Sequence, residues 1–178
     1  MKAETKTGRL VMVALLAALI CVTAVIVVPI GPVPFSMAVM GVIFAGALLA
    51  PTDALAAVCV YLAIGMVGIP VFAGFNSGPQ VVLGPTGGFL IGYLPLVFCT
   101  SIARGQKIYI TFLAAFGGLL ACYLLGTVWF MVYAKAGFVK ALMACVVPFI
   151  IPDVIKIGGA VVLARAIVLR QNKARAGK

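Results

Sequence analysis

The chain has 178 residues, of which 65% are hydrophobic and only 9% are charged, and its mean hydropathy is +1.31. About a quarter of the residues of a typical soluble domain are charged, so this composition predicts an integral membrane protein. The net charge of +10 comes from basic residues at the chain ends and in short connections, and this distribution favours membrane topology over nucleic-acid binding.

Apolar runs separated by Pro- and Gly-rich breaks predict an all-α protein with about six transmembrane helices. Two stretches without ionisable Asp, Glu, Lys or Arg, from Arg9 to Asp53 and from Asp53 to Arg104, are each long enough for two crossings. The basic N-terminus has no cleavage motif followed by a soluble domain, so the first run is interpreted as a retained span. We expect a single membrane domain over residues 1–178, with helices at about 10–28, 35–50, 54–66, 88–102, 108–133 and 152–169.

The basic residues are distributed unequally between the two sides that six crossings would define. Only Lys135 and Lys140 fall in the loops of one side, whereas the other side holds both chain ends and the 103–107 connection. The positive-inside rule therefore predicts cytoplasmic N- and C-termini, with the 29–34 connection, the loop between helices 3 and 4, and the 134–151 segment facing outwards. The residues on the predicted cytoplasmic side are Lys2, Lys6, Arg9, Arg104, Lys107, Arg165, Arg170, Lys173, Arg175 and Lys178.

The long outward-facing loop between helices 3 and 4 includes the charge-free stretch GFNSGPQVVLGPTGGF at 74–89. Non-helical backbone at membrane depth is tolerated where it lines a cavity, so the loop is interpreted as a lid or cavity wall; a long exposed connector is the alternative. The amides of Asn76 and Gln80 would suit a neutral polar ligand, or else serve as solvated turn residues. The stretch lacks the motif G-x-x-x-x-G-K-[ST], so we expect no ATPase in this chain.

The motif PFIIPDVIKIGGA at 148–160 places Asp153 and Lys156 three residues apart, on one face of a helix that Pro152 is expected to start. A charged side chain at the membrane centre costs about 2.5 to 3.5 kcal/mol on insertion scales, and such residues usually mark a site or pathway. We therefore predict that the pair binds a ligand. The alternative is an ion pair that only neutralises itself near the helix start.

Other residues indicate neither a metal centre nor an enzyme. The chain has no histidine, its five cysteines are scattered singly, and its three acids are far apart in sequence, so we expect no metal, no catalytic residue and no cofactor. Trp129, Phe130 and Tyr133 are interpreted as an interfacial aromatic belt outside the site. Ala14 and Ala18 form a small-x-x-x-small face on the first helix, suited to close contact with a partner helix or within the protein.

Four motifs, in this order, resemble those of a known family. GPVPFSM at 31–37, GIPVFAGFNSG at 68–78, GPTGGFLIGY at 84–93 and PFIIPDVIK at 148–156 are similar to the BioY family, the biotin-specific S components of energy-coupling factor (ECF) transporters. The resemblance extends over about residues 10–170. It implies a six-helix protein of a bacterial or archaeal cell membrane with an outward-facing biotin pocket. The implied partners are a transmembrane coupling subunit and two cytoplasmic ATPase subunits.

The resemblance also implies roles for individual residues. Asp153 and Lys156 match the charged pair of the closing family motif and would bind the ligand, and Asn76 falls in the family's lid and pocket loop. Ala14 and Ala18 match the family's A-x-x-x-A surface for the coupling subunit. The remaining lid or pocket-loop residues are Phe72, Gly74, Gly84, Pro85, Thr86 and Gly87.

One position departs from the family pattern, since Ala38 stands where many members that read P-[IF]-T-x-Q have Gln. Another residue must then supply that contact, or the ligand preference is shifted. Asp153 could accept the ureido N–H groups of biotin while Lys156 donates to its carbonyl, or Lys156 could bind the carboxylate. The alternatives to biotin uptake are an S component for thiamine or riboflavin, and a non-transporting membrane scaffold in which the two charges merely pair.

Overall fold

The computed structural model describes residues 5–28 and 35–176, and these residues form eight helices and one short β-ribbon. The ribbon pairs β1 (Val27–Val28) with β2 (Phe35–Ser36) in antiparallel register. The predicted 29–34 connection, Lys2 and Lys178 lie outside the described residues. The helices are α1 (Lys6–Val25), α2 (Ala38–Leu48), α3 (Pro51–Met66), α4 (Pro79–Val82), α5 (Gly87–Ile102), α6 (Ile108–Ala134), α7 (Phe138–Cys145) and α8 (Ile150–Ala176).

The helices carry apolar side chains on the outer surface as well as in the core. α1 and α6 are each long and apolar enough to cross a membrane, and α7 with α8 up to Arg170 adds a third crossing if this pair, bent by 45°, counts as one span. Leu113 and Leu124 of α6 are 63% and 65% exposed, as expected where lipid covers the surface. The predicted class, an all-helical membrane protein, is confirmed. The six crossings stay a prediction, because α2, α3 and α5 have only 10–17 residues.

Side-chain hydrogen bonds show how the helices alternate in direction. They join the start of α1 to the start of α3, the end of α2 to the end of α5, and the start of α6 to the C-terminal half of α8. We call this side of the bundle the basic end, and we call the opposite side, with the β-ribbon, the 67–86 segment and α7, the pocket end. The bonds run from Arg9 to the Asp53 carboxylate (2.6 and 3.1 Å), from Arg104 to the Leu48 carbonyl (3.3 Å) and from Arg165 to the Gln106 carbonyl (2.8 Å).

Several helix boundaries differ from the predicted ones for local reasons. α1 begins at Lys6 instead of residue 10, because the Thr5 side chain caps it by accepting a hydrogen bond from the Gly8 N–H at 3.1 Å. α2 begins at Ala38 instead of residue 35, because Phe35 and Ser36 belong to the β-ribbon. α3 begins with Pro51, which suits the first position of a helix because its missing N–H has no intrahelical acceptor there.

Two segments predicted as loops contain short helices. The loop between α3 and α5 includes the four-residue α4, and the 134–151 segment includes the eight-residue α7. Hydropathy could not reveal either helix, because both are far too short to span a membrane. α8 begins at Ile150, so Pro152 lies in its first turn instead of at its first position, and the helix continues past the predicted end to Ala176.

Glycines allow a close contact between α5 and α6, the most extensively packed helix pair of the described chain. A Cβ atom at Gly92 of α5 would lie 2.8 Å from the Cys122 sulfur and 2.9 Å from its Cα. A Cβ atom at Gly118 of α6 would lie 2.9 Å from the Cα of Leu96. Both distances are shorter than ordinary carbon contacts of about 3.5 Å or more, so this separation of the two backbones requires glycine at both positions.

We expect Gly118→Ala to lower the free energy of unfolding by about 1 to 3 kcal/mol, because the added methyl group would overlap the Leu96 backbone. Gly117→Ala is the matched control, since it adds the same methyl group to the neighbouring residue of the same helix, where a Cβ atom meets nothing within 4 Å. Thermal unfolding of the purified protein in detergent measures both changes. Equal melting temperatures for the two variants would contradict the close α5–α6 contact.

Candidate ligand-binding site

A cavity lies at the pocket end, and it encloses about 650 Å³ together with the solvent-filled space at its mouth. Small-molecule sites have mostly apolar walls and a few well-placed polar groups. The walls of this cavity come from α2, α5, α6, α7, α8, β2 and the 67–86 segment. The lining residues are Phe35, Ser36, Val39, Phe72, Ala73, Val81, Thr86, Phe89, Leu90, Tyr93, Leu119, Cys122, Tyr123, Cys145, Phe149, Asp153 and Lys156.

Asp153 and Lys156 lie together in the wall of this cavity. They occupy the first two turns of α8, and the spacing of three residues puts both side chains on one face. The Lys156 Nζ atom lies 2.8 Å from Asp153 Oδ1, and the two residues are only 5% and 3% exposed. An ion pair this deeply buried is tolerated only when further hydrogen bonds satisfy both groups.

Tyr123 of α6 supplies one of these further bonds. Its hydroxyl donates to Asp153 Oδ2 at 2.7 Å, so the two carboxylate oxygens have different partners. The sequence does not single out this residue, because Tyr123 lies in a long apolar run, thirty positions from Asp153. One general signal was available. A tyrosine hydroxyl inside a membrane span needs a hydrogen-bond partner, and the spans of this chain contain few polar side chains.

Lys156 is also held by the β-ribbon. Its Nζ atom donates to the main-chain carbonyl of Ser36 at 2.6 Å and lies 3.4 Å from the centroid of the Phe35 ring. The Phe35 ring stacks on Phe149, with centroids 5.9 Å apart and an interplanar angle of 3°. The Lys156 ammonium therefore donates to two acceptors, the Asp153 carboxylate and the Ser36 carbonyl, and makes a cation–π contact with Phe35.

Part of the predicted lid loop lines the cavity. Phe72 is fully buried and packs edge-on against Tyr61, with ring centroids 5.6 Å apart, and Thr86 lines the cavity just before α5. Gly84 and Gly87 lie between α4 and the first turn of α5, and a Cβ atom at Gly87 would overlap the Val82 carbonyl. Glycine at this position lets the chain turn tightly into α5.

Trp129 fixes this turn to α6. Its indole N–H donates to the Gly84 carbonyl at 2.8 Å. Of the residues interpreted as an aromatic belt, Tyr133 is 56% exposed, whereas Phe130 is buried. Trp129 thus binds the 67–86 segment, part of which lines the cavity, a contact that its position in sequence did not indicate.

The structure does not bring Asn76 or Gln80 into the cavity. Both side chains are exposed, and each amide donates to a carbonyl of its own loop: Asn76 to Ala73 at 2.7 Å and Gln80 to Ser77 at 2.6 Å. Their ligand contact stays a prediction. Four further lid residues, Gly74, Gly84, Pro85 and Gly87, also lie off the cavity wall. Gly74 has a φ of 71°, a conformation that favours glycine.

Two remaining predicted residues lie elsewhere. Ala14 and Ala18 are exposed on α1, on a face that also carries Val11 and Leu15, each 57% exposed. Their contact with a partner subunit stays a prediction. Ala38 is buried at the start of α2, where its N–H donates to the Ser36 hydroxyl at 3.0 Å, and it is not part of the cavity wall.

The arrangement provides a positive and a negative group beside a largely aromatic and aliphatic surface. Such a wall can bind a small molecule whose polar head offers both donors and acceptors and whose body is apolar. Among the described residues, no group of three or more His, Cys, Asp and Glu side chains could hold a metal ion.

The sequence is similar to known proteins over nearly its whole length. The sequence matches the BioY family over residues 1–173. The "Probable biotin transporter BioY" of Pyrococcus horikoshii is 42% identical over 159 residues, which cover 89% of this chain and 95% of that protein. The "Biotin transporter BioY" of Thermotoga maritima is 36% identical over 167 residues, which cover 93% of this chain and 96% of that protein.

A solved structure has a similar fold. The crystal structure of the S-component for biotin from an ECF-type ABC transporter matches with a TM-score of 0.85 and 28% sequence identity, over 94% of each chain. The family match over residues 1–173 and the structural match over 94% of the chain thus agree. This protein belongs to the BioY family.

Proposed function

We propose that the protein binds biotin in the cavity beside Asp153 and Lys156 and takes it up as the substrate-specific subunit of an ECF-type transporter. The observation that carries the proposal is a buried, hydrogen-bonded ion pair in the wall of a cavity that is otherwise mostly apolar. The relatives named as biotin transporters, which match this chain over most of their length, support the choice of ligand.

The bonding capacity left on the pair suits a ureido ring. A carboxylate offers about four acceptor sites, and Tyr123 and Lys156 use two of those on Asp153, which leaves room for two ureido N–H groups. An ammonium has three donors, and Asp153 and the Ser36 carbonyl use two of them, which leaves one for the ureido carbonyl. In this arrangement the ligand adds hydrogen bonds to the pair without breaking it.

The other parts of biotin match the rest of the cavity. The apolar thioether ring would pack against aromatic lining residues such as Tyr93 and Phe149. The carboxylate tail would extend towards the opening, where it keeps its hydration. The 67–86 segment would act as the lid, and Asn76 and Gln80, whose amides donate to the Ala73 and Ser77 carbonyls, would reach the ligand when this segment moves.

For transport we propose that the chain spans the cell membrane six times, with the basic end in the cytoplasm. Ala14 and Ala18 on the exposed face of α1 would contact the transmembrane coupling subunit, since small residues permit close helix approach. Two cytoplasmic ATPase subunits would supply the energy, and this chain would contribute the ligand site only.

We expect Asp153→Asn to weaken biotin binding by about tenfold or more, because the amide offers one acceptor oxygen in place of two and has no negative charge. Titration calorimetry of the purified protein with biotin, thiamine and riboflavin measures the change and the ligand preference together. Unchanged biotin affinity would remove Asp153 from the site. Binding of another vitamin in place of biotin would identify a different S component.

A charge-balanced double variant separates binding from folding. Asp153→Asn alone, like Lys156→Ala alone, leaves one buried charge without its partner, which is strongly destabilising. Asp153→Asn combined with Lys156→Met removes both charges, so we expect it to melt closer to the wild type than either single variant and still to bind no biotin. A scaffold without ligand would instead show no biotin binding in the wild type and only a loss of yield in the single variants.

We expect Tyr123→Phe to weaken biotin binding about three- to tenfold, because Asp153 would lose the hydrogen bond that holds its carboxylate in position for the ligand. A hydrogen bond to a charged group contributes about 1.5 to 3 kcal/mol, and only part of this contribution is expected to appear in the affinity for biotin. Tyr133→Phe is the control, because it removes the same hydroxyl from an exposed position on the same helix. The same calorimetric titration compares the two variants. Equal affinities would show that Tyr123 does not position the carboxylate for the ligand.

A further inference from the structure

A second cavity lies at the basic end, and it shares no lining residue with the proposed biotin site. It lies between α2, the connection after α5, the start of α6 and α8, and it encloses about 570 Å³ together with the solvent-filled space at its mouth. Its walls are mainly apolar, with Ala47, Val161 and Ala164 among them, and its polar groups include Gln106, Thr111 and Arg165. The Thr111 hydroxyl already donates to the Ala103 carbonyl at 2.9 Å, which leaves the Gln106 amide and the charged Arg165 side chain as the polar groups for a ligand.

Arg165 lines this cavity, and its hydrogen bond to the chain leaves other N–H donors for a ligand. Its Nη1 atom donates to the Gln106 carbonyl at 2.8 Å, which fixes the guanidinium over the connection between α5 and α6. A guanidinium has five N–H donors in a planar fork that matches the geometry of a phosphate. The side chain is exposed, so donors remain that can reach a ligand.

The charge around this cavity is positive and has no nearby counter-charge among the described residues. Lys107 follows Gln106, and Arg104 donates to the carbonyl of Leu48, the residue after Ala47. No acidic side chain is among the lining residues. Asp53, the acid of the basic end, has both carboxylate oxygens bonded to Arg9.

We propose that this cavity binds an anionic phospholipid, with its phosphate on Arg165 and an acyl chain along the apolar wall. The apolar wall continues into the outer surface, since Ile108 is 41% and Leu169 is 51% exposed, and both residues line the cavity. A free phosphate would use only the arginine, whereas a bilayer lipid uses the arginine and the apolar wall together. Basic pockets between helices on the cytoplasmic side are suited to such head groups.

The test measures lipid retention by native mass spectrometry of the full chain in detergent. Phosphatidylglycerol and phosphatidylcholine with the same acyl chains are added in separate samples, and inorganic phosphate is added as a competitor. Arg165→Ala is compared with Arg170→Ala, which removes the same charge from the same helix at a residue that does not line the cavity. Arg165→Gln, which keeps a donor for the Gln106 carbonyl, replaces the alanine variant if that variant does not fold.

We expect the wild type to retain phosphatidylglycerol over phosphatidylcholine, and the Arg165 variant to retain about fivefold less phosphatidylglycerol. Arg170→Ala should stay within about twofold of the wild type, since it changes only the long-range charge. Equal retention of the two lipids, equal loss in the two variants, or displacement of the lipid by inorganic phosphate would each overturn the proposal. Biotin titration of the Arg165 variant is a separate readout and should match the wild type, so failure of the lipid site would leave the proposed function untouched.

Discussion

The Asp153–Lys156 ion pair constrains the pocket end because neither charge can be left without partners inside an apolar bundle. Pairing across one turn of α8 satisfies only part of the hydrogen-bonding capacity of each group. Tyr123 from α6 and the Ser36 carbonyl from β2 supply the next partners. Three elements that are distant in sequence must therefore meet at this point, and their meeting defines one wall of the cavity.

The two faces of the cavity differ in how firmly the fold holds them. α5 and α6 are packed backbone to backbone at Gly92 and Gly118, which leaves little freedom for either helix to shift. The 67–86 segment is irregular for most of its length and is held at separate points, by Phe72 in the core, by the Gly78 N–H on the Gly65 carbonyl and by the Gly84 carbonyl on Trp129. Movement that admits a ligand is therefore expected in this segment instead of in the helix pair.

The sequence was sufficient for features that follow from composition and spacing. Hydropathy predicted the all-helical membrane class, and the spacing of Asp153 and Lys156 predicted a pair on one helix face. The sequence did not reveal partners that depend on three-dimensional proximity. Tyr123 is thirty positions from Asp153, and Lys156 binds a main-chain atom that no side-chain pattern encodes. The short helices α4 and α7 were missed because their length gives no hydropathy signal.

The Lys156–Ser36 contact has a consequence for how the polar wall can change. A main-chain carbonyl is present whatever amino acid occupies position 36, so substitution there cannot delete this acceptor. A change in the length of the ribbon can remove the contact, since it would move the Ser36 carbonyl relative to α8. Insertions and deletions between residues 27 and 36 would thus affect the polar wall more than point substitutions do, and redesign of ligand preference would better begin on α6 or α8.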